Sequence, residues 1–476
     1  MDAPRFLQPR LIRPISAEGA CSAIPLYPPL SEARRGPRNA IESNARTYSR
    51  RLPVTLESGR GVWVFDTEGR AYIDCLAGAG ALALGHNHPI VTEAILAALN
   101  SGVPLQTLDL ATPLRDHFID ELFQALPSRF ASGAKVHFCG PSGADAIEAA
   151  IKLAACATGR RSLLCFRGAY HGMTSGALTV TGDNAARASS RGMLPDVHFL
   201  PFPADYRCPF GLGGDAGWQA NVRYIEMLLD DPNGGVTAPA ALILEVVQGE
   251  GGVNPAPSEW LRAIRDITSR RGILLIVDEV QTGLGRTGHM FACENAGIDP
   301  DVMVLSKAIG GGLPLAAIVY RQSLDLWKPG AHAGTFRGNQ LGFAAGAAAI
   351  RHIRAGKLHL HARAMGDRLL VALENIAART PLIGNIRGRG LMAGAEIVEP
   401  DGERQGSQPP PPSPALARRI QLSCLRRGLI VELGGRGGSV IRFLPPLIVT
   451  ADEIDQIAAR FGAAIEAVES QKDAST

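Results

Sequence analysis

Ile273-Leu274-Leu275-Ile276-Val277-Asp278-Glu279-Val280-Gln281-Thr282-Gly283 is the stretch on which the reading of this 476-residue chain turns. Five apolar residues run without a break and stop at an acid. A second run, Val302-Met303-Val304-Leu305-Ser306-Lys307, stops at a lysine 29 residues after that acid. Continuous apolar runs of this length suit strands covered on both faces. Similar runs occur at 135–139, 162–166, 197–200, 241–247 and 316–320. Helical patterns lie between several of them. The clearest covers 143–157, where Ile147, Ala150, Ile151 and Ala154 share one face and Glu148 precedes Lys152 by four. Strands alternating with helices predict an α/β fold with a mainly parallel central sheet.

Outward from this centre, Gly61–Phe65 and Ala71–Asp74 read as a hairpin turning at Asp66–Gly69. Residues 1–40, rich in Pro and Arg, read as an extended or partly disordered arm. Residues 399–414 (EPDGERQGSQPPPPSP) read as a Pro-rich surface loop, because structured pattern resumes directly after them. Beyond it come a helix, a short strand pair around 429–443 and a closing helix. There is no internal repeat.

Composition narrows the function classes. Apolar residues make up 46% and charged residues 20%, enough to bury a sizeable core. A net charge of +3 gives no argument for nucleic acid or an anionic membrane. The eight cysteines include no CxxC pair, which speaks against a zinc ribbon or a secreted disulfide scaffold. They read as buried, reduced thiols of a cytoplasmic protein. No uncharged apolar stretch approaches the roughly 20 residues of a membrane span, and the N-terminus lacks the apolar run of a signal peptide.

Ligands of open α/β sheets sit at the carboxyl ends of the strands. Asp278 and Lys307 are delivered there. A lysine that can form a Schiff base and an acid that can pair with a pyridinium nitrogen suit pyridoxal phosphate. Gly140-Pro141-Ser142-Gly143-Ala144-Asp145, between a strand and the amphipathic helix, offers small residues and free N–H groups to an anion. It lacks the lysine of a Walker loop, so an ATPase reading fails. His86-Asn87-His88 lacks a third ligand and reads as a structural turn, and no metal is expected.

Together with Gly334-Thr335-Phe336-x-Gly338-Asn339 and Glu245-x-x-x-Gly249-Glu250-Gly251-Gly252, these motifs resemble the class III, ornithine-aminotransferase-like family from about residue 42 to 465. The resemblance implies a fold-type-I pyridoxal-phosphate-dependent transferase. Its large domain would span 96–350, and a smaller α+β domain would be built from 41–95 and 351–476. It implies that Lys307 is the Schiff-base lysine and that Asp278 partners the pyridine nitrogen. Gln281 would bond the ring's 3-oxygen, Ser142, Gly143 and Ala144 would cradle the phosphate, and Tyr170 would stack on the ring. Thr335 would reach the phosphate of the neighbouring subunit of a homodimer with shared active sites. Arg442 would bind a carboxylate of glutamate or 2-oxoglutarate, and Glu250 would mask it when an amine donor is bound. His171 either touches the cofactor or only shapes its loop.

Members that use ornithine or acetylornithine carry an arginine where this chain has Met173, and the ornithine enzymes an aromatic where it has Ala79. Leu108–Leu114, Phe138–Ala146 and Tyr170–Thr174 resemble instead the diaminobutyrate–2-oxoglutarate aminotransferases. That implies exchange of the 4-amino group of L-2,4-diaminobutyrate with 2-oxoglutarate, in diaminobutyrate supply for siderophores, diaminopropane or related products. Other donors (4-aminobutyrate, putrescine, lysine) and an isomerase or mutase on the same fold remain as alternatives.

Overall fold

The computed structural model describes residues 26–27, 41–188, 190, 193–404, 406 and 408–473. The arm expected over 1–40 lies outside them, apart from Leu26 and Tyr27. All seven expected apolar runs form one sheet. Its order is Ala134–Phe138, Ala317–Arg321, Val302–Leu305, Leu274–Asp278, Ala241–Leu244, Leu163–Phe166, Val197–Leu200. Every neighbouring pair is parallel except the two made by Ala317–Arg321. Branched apolar residues bury both faces. Leu275, Val277, Met303 and Leu305 pack into one core cluster, and Ile276, Val302, Val304 and Ile318 into another on the opposite side. That division follows from the two-residue period of a strand.

The amphipathic helix forms as expected, over Gly143–Thr158. Ser142 caps it by accepting the N–H of Ala144, and Gly159, at φ +66°, ends it in the left-handed conformation. The sheet and this helix therefore bring the ends of three chain segments, near 142, 278 and 307, to one side of the molecule.

The hairpin forms between Trp63–Asp66 and Ala71–Asp74. It gains a strand the sequence did not reveal, Leu56–Arg60, whose LESGR is mostly exposed and polar. Its fourth strand comes from the far end of the chain. Leu429–Ile430 runs parallel to Ala71–Asp74, with Ile73 N–H donating to Gly428 O at 2.8 Å and Cys75 N–H to Ile430 O at 2.9 Å. A third sheet has the order Ile383–Gly388, Ala393–Ile397, Val440–Phe443, Glu432–Gly434 and is antiparallel throughout. The strand pair expected around 429–443 is thus split between two sheets.

Seven cysteines are described and all are free thiols. Six are buried, but Cys156 is exposed. It lies on the outer face of the Gly143–Thr158 helix, so the expectation of burial fails there. His86 and His88 diverge. His86 Nε2 meets Asp74 Oδ2 at 2.8 Å, while His88 precedes the helix Pro89–Asn100 and its ring stacks near His352.

Candidate active site

A cavity of about 460 Å³ opens at the carboxyl ends of the central strands. Lys307 and Asp278 line it, as do Ser142, Gly143, Ala144, Tyr170, Met173, Glu250 and Gln281. Nine of the predicted site residues therefore share one wall system.

Lys307 follows the strand Val302–Leu305 and has φ +51°. Left-handed backbone is rarely used by a residue with a side chain, and such strain concentrates at functional positions. Burial holds its ammonium below the usual lysine range, against the opposing pull of Glu250 and Asp278.

Asp278 ends the next strand and is 5% exposed. Its Oδ1 accepts the N–H of Val280 at 3.0 Å. Its Oδ2 lies 2.7 Å from His171 Nδ1. Asp278 can only accept, so the imidazole proton sits on Nδ1. Burial works against a charge on His171. The hydrogen bond and the charge of Asp278, with help from Glu245, outweigh it and raise the imidazole's pKa. Glu245, just beyond the strand Ala241–Leu244, accepts the N–H groups of Tyr170 at 3.0 Å and Gly249 at 2.8 Å. It ties together the two loops that carry Tyr170 and Glu250. Burial pushes its carboxyl up to about 7.

The turn at 140–144 packs tightly at its two glycines, where a Cβ on Gly140 would lie 2.9 Å from Asp145 Oδ2. A Cβ on Gly143 would lie 3.2 Å from Val280 Cγ1. Ser142, Gly143 and Ala144, at the start of the helix that follows, line the cavity, and the helix dipole favours an anion there.

Arg442 is wholly buried beside the cavity. Its Nη1 donates to Glu250 Oε1 at 2.6 Å and lies 3.3 Å from Glu432 Oε2. Its Nη2 donates to Gln281 Oε1 at 3.0 Å. Gln281 Nε2 donates in turn to Ala79 O at 3.1 Å. The Glu250–Arg442 pair drawn from the resemblance is therefore formed. Met173 stands at the rim, 56% exposed. Thr335 is exposed and lies outside this cavity, on the short turn Thr335–Gly338.

Three residues escaped the sequence reading in these roles. His171, read as touching the cofactor or shaping its loop, is the hydrogen-bond partner of Asp278. Glu245 ends a strand as Asp278 does, a signal present in the sequence. Glu432 stands directly across from Arg442 in the antiparallel pair Glu432–Gly434 and Val440–Phe443. Only the hairpin register over the glycines between them would have disclosed it.

The family model for class III aminotransferases matches residues 44–465. The diaminobutyrate–2-oxoglutarate aminotransferase of Rhizobium meliloti (strain 1021) is 56% identical over 425 residues, covering 89% of this chain and 90% of that protein. The enzyme of the same name from Haemophilus influenzae is 48% identical, covering 89% and 93%. Among solved structures, an amine transaminase from an uncultivated Pseudomonas species, in a PLP-bound form, superposes with a TM-score of 0.80. It is 30% identical and covers 90% of this chain and 97% of that one. With its fold, its cavity and its sequence in agreement, this chain belongs to the class III aminotransferases.

Proposed function

We propose that this chain is a pyridoxal-phosphate-dependent aminotransferase. It moves the 4-amino group between L-2,4-diaminobutyrate and 2-oxoglutarate, giving L-aspartate 4-semialdehyde and L-glutamate. The observation that carries the reading is the buried Arg442 paired with Glu250 at 2.6 Å, beside a cavity that also holds Lys307 and Asp278. An enzyme that handles an amine and a dicarboxylate in one site needs a cation it can cover and uncover. An isomerase would have no use for that pair. Relatives at 56% and 48% identity that carry the diaminobutyrate name support the donor.

The residues present fit pyridoxal phosphate. The turn Ser142-Gly143-Ala144 has small side chains only and opens a helix, which leaves space and a favourable dipole for an anion. Asp278, backed by His171, would keep a ring nitrogen protonated. Tyr170 would cover the ring, Gln281 would meet its 3-oxygen, and Lys307 would be the point of attachment. When bound, the cofactor supplies an aldehyde that takes up the amino group and a ring that withdraws electrons from the reacting carbon.

The chain's own groups do the rest. Lys307 Nζ, whose proton affinity burial lowers, would take the proton from C4 of diaminobutyrate as a general base and deliver it, as a general acid, to the carbon of the cofactor's aldehyde. Glu250 covers Arg442 while the amine is bound. It moves aside for 2-oxoglutarate, whose carboxylate the guanidinium then grips with two parallel hydrogen bonds. Met173, where related enzymes carry a second arginine, leaves the rim fitted to a short donor.

Thr335 would reach the phosphate of a second copy, making a homodimer with shared sites. We place the enzyme in the cytoplasm, in diaminobutyrate supply for siderophores, diaminopropane or related products. Its large domain covers 96–350, and a small domain is made from 41–95 and 351–476.

The test is glutamate formation from 2-oxoglutarate by the purified, cofactor-loaded protein. The donors offered are diaminobutyrate, ornithine, acetylornithine, 4-aminobutyrate, lysine and putrescine. Diaminobutyrate should be preferred, and Lys307→Ala should lower turnover by about a thousandfold or more. Turnover of another amine alone would overturn the donor.

A further inference from the structure

Asp145, on the first turn of the Gly143–Thr158 helix, reaches back over the anion-binding turn. Its Oδ2 accepts the N–H of Gly140 at 2.6 Å. The same oxygen lies 3.0 Å from His332 Nε2. On the other side of the imidazole, Lys152 Nζ sits 3.4 Å from Nδ1. An ammonium can only donate, so Nδ1 is the acceptor and Nε2 carries the proton that goes to Asp145. The chain of donors runs from Lys152 through His332 to Asp145, and one charged oxygen receives two N–H groups. Hydrogen bonds to a charged acceptor are roughly twice as strong as neutral ones.

His332 is 8% exposed and begins the segment that carries Thr335. The two loops are in close contact: a Cβ on Gly334 would lie 3.3 Å from Gly140 N. Arg337 Nη1 donates to His332 O at 3.2 Å, which closes the segment on itself. Cys139 Sγ lies with the Asp145 and His332 atoms inside 4.8 Å, a set of metal-ligand types. The hydrogen bonds already engage the carboxylate and both imidazole nitrogens, so the network closes without an ion.

We infer that His332 is a positioning residue for the phosphate turn, acting through Asp145 to hold Gly140-Pro141-Ser142-Gly143 in its anion-binding shape and to lock it to the Thr335 segment. This rests on the reading that the turn holds the cofactor phosphate. The role is specific. It should matter for a ligand that bears a phosphate and not for the same ring without one.

The experiment titrates the apoprotein with pyridoxal phosphate and, separately, with pyridoxal, following absorbance. His332→Ala should raise the Kd for pyridoxal phosphate about tenfold and leave that for pyridoxal within about twofold. His332→Gln keeps a donor for Asp145 and an acceptor for Lys152, and should bind both ligands nearly as the wild type does. Unchanged affinity for pyridoxal phosphate in His332→Ala, or equal losses for both ligands, would overturn the inference. Should His332→Ala fail to fold, Lys152→Gln on the exposed face takes its place. It should weaken only pyridoxal phosphate, by about threefold, and no change would count against the relay. A wild type that binds the two ligands equally would overturn the phosphate reading itself, and the inference with it.

Discussion

At one end of the cavity, Asp278 and Lys307 close neighbouring strands of the seven-stranded sheet, and Asp278 is held by the His171 imidazole at 2.7 Å and the Val280 N–H at 3.0 Å. At the other end, Arg442 shares its guanidinium among Glu250, Glu432 and Gln281. Glu250 sits on a glycine-rich loop, while Glu432 is fixed across the strand pair. A buried charge left unpaired costs several kcal/mol. With Glu432 3.3 Å away, the cation keeps a counter-charge when Glu250 is released. Under the proposed function, the first end keeps its occupant and the second changes it.

The largest effect should come from breaking the exchange end. Arg442→Ala should lower kcat/KM for 2-oxoglutarate about a hundredfold or more, since truncating one partner of a buried charged pair costs about 2–5 kcal/mol. The donor half-reaction, followed by single-turnover absorbance, should change by less than about tenfold. Equal losses in both half-reactions would erase the difference between the ends.

A smaller effect should come from the permanent end. His171→Ala removes the partner of Asp278 and should lower kcat about tenfold to a hundredfold, alike in both half-reactions. A loss confined to one substrate would mean that His171 belongs to the exchange machinery.

The smallest effect separates two adjacent acids. Glu279 follows Asp278 yet does not line the cavity. It accepts from Thr282 Oγ1 and from Cys293 N at 2.9 Å. Burial pushes its carboxyl from 4.5 up to about 7. The folded state therefore prefers the neutral acid, and this contribution to stability is lost as pH rises from about 4.5 to about 7. Glu279→Gln cannot ionise. Its stability relative to the wild type should climb across that window, by up to about 3 kcal/mol. Denaturant melts at pH 5 and pH 8 would show it, and a gap independent of pH would sink the idea.

The cofactor end was legible in the sequence for a physical reason. Strands buried on both faces are apolar throughout, so the central strands showed as continuous runs, and an acid or lysine ending one is conspicuous. The exchange end was not legible without the family resemblance. Its sheet uses Ile383–Gly388 (IGNIRG) and Ala393–Ile397 (AGAEI), which are rich in glycine and small residues and show no two-residue alternation. Backbone pairing holds those strands, and backbone pairing leaves little trace in side-chain pattern. Glu432 became visible only through register. His171 became visible only once its loop had folded over Asp278, 107 positions further along the chain.

The pairing of Leu429–Ile430 beside Ala71–Asp74 has a bearing on synthesis. The hairpin leaves the ribosome long before the strand that completes its sheet. Until that strand emerges, Ala71–Asp74 presents a bare edge of peptide groups, the kind of template on which nascent chains join one another.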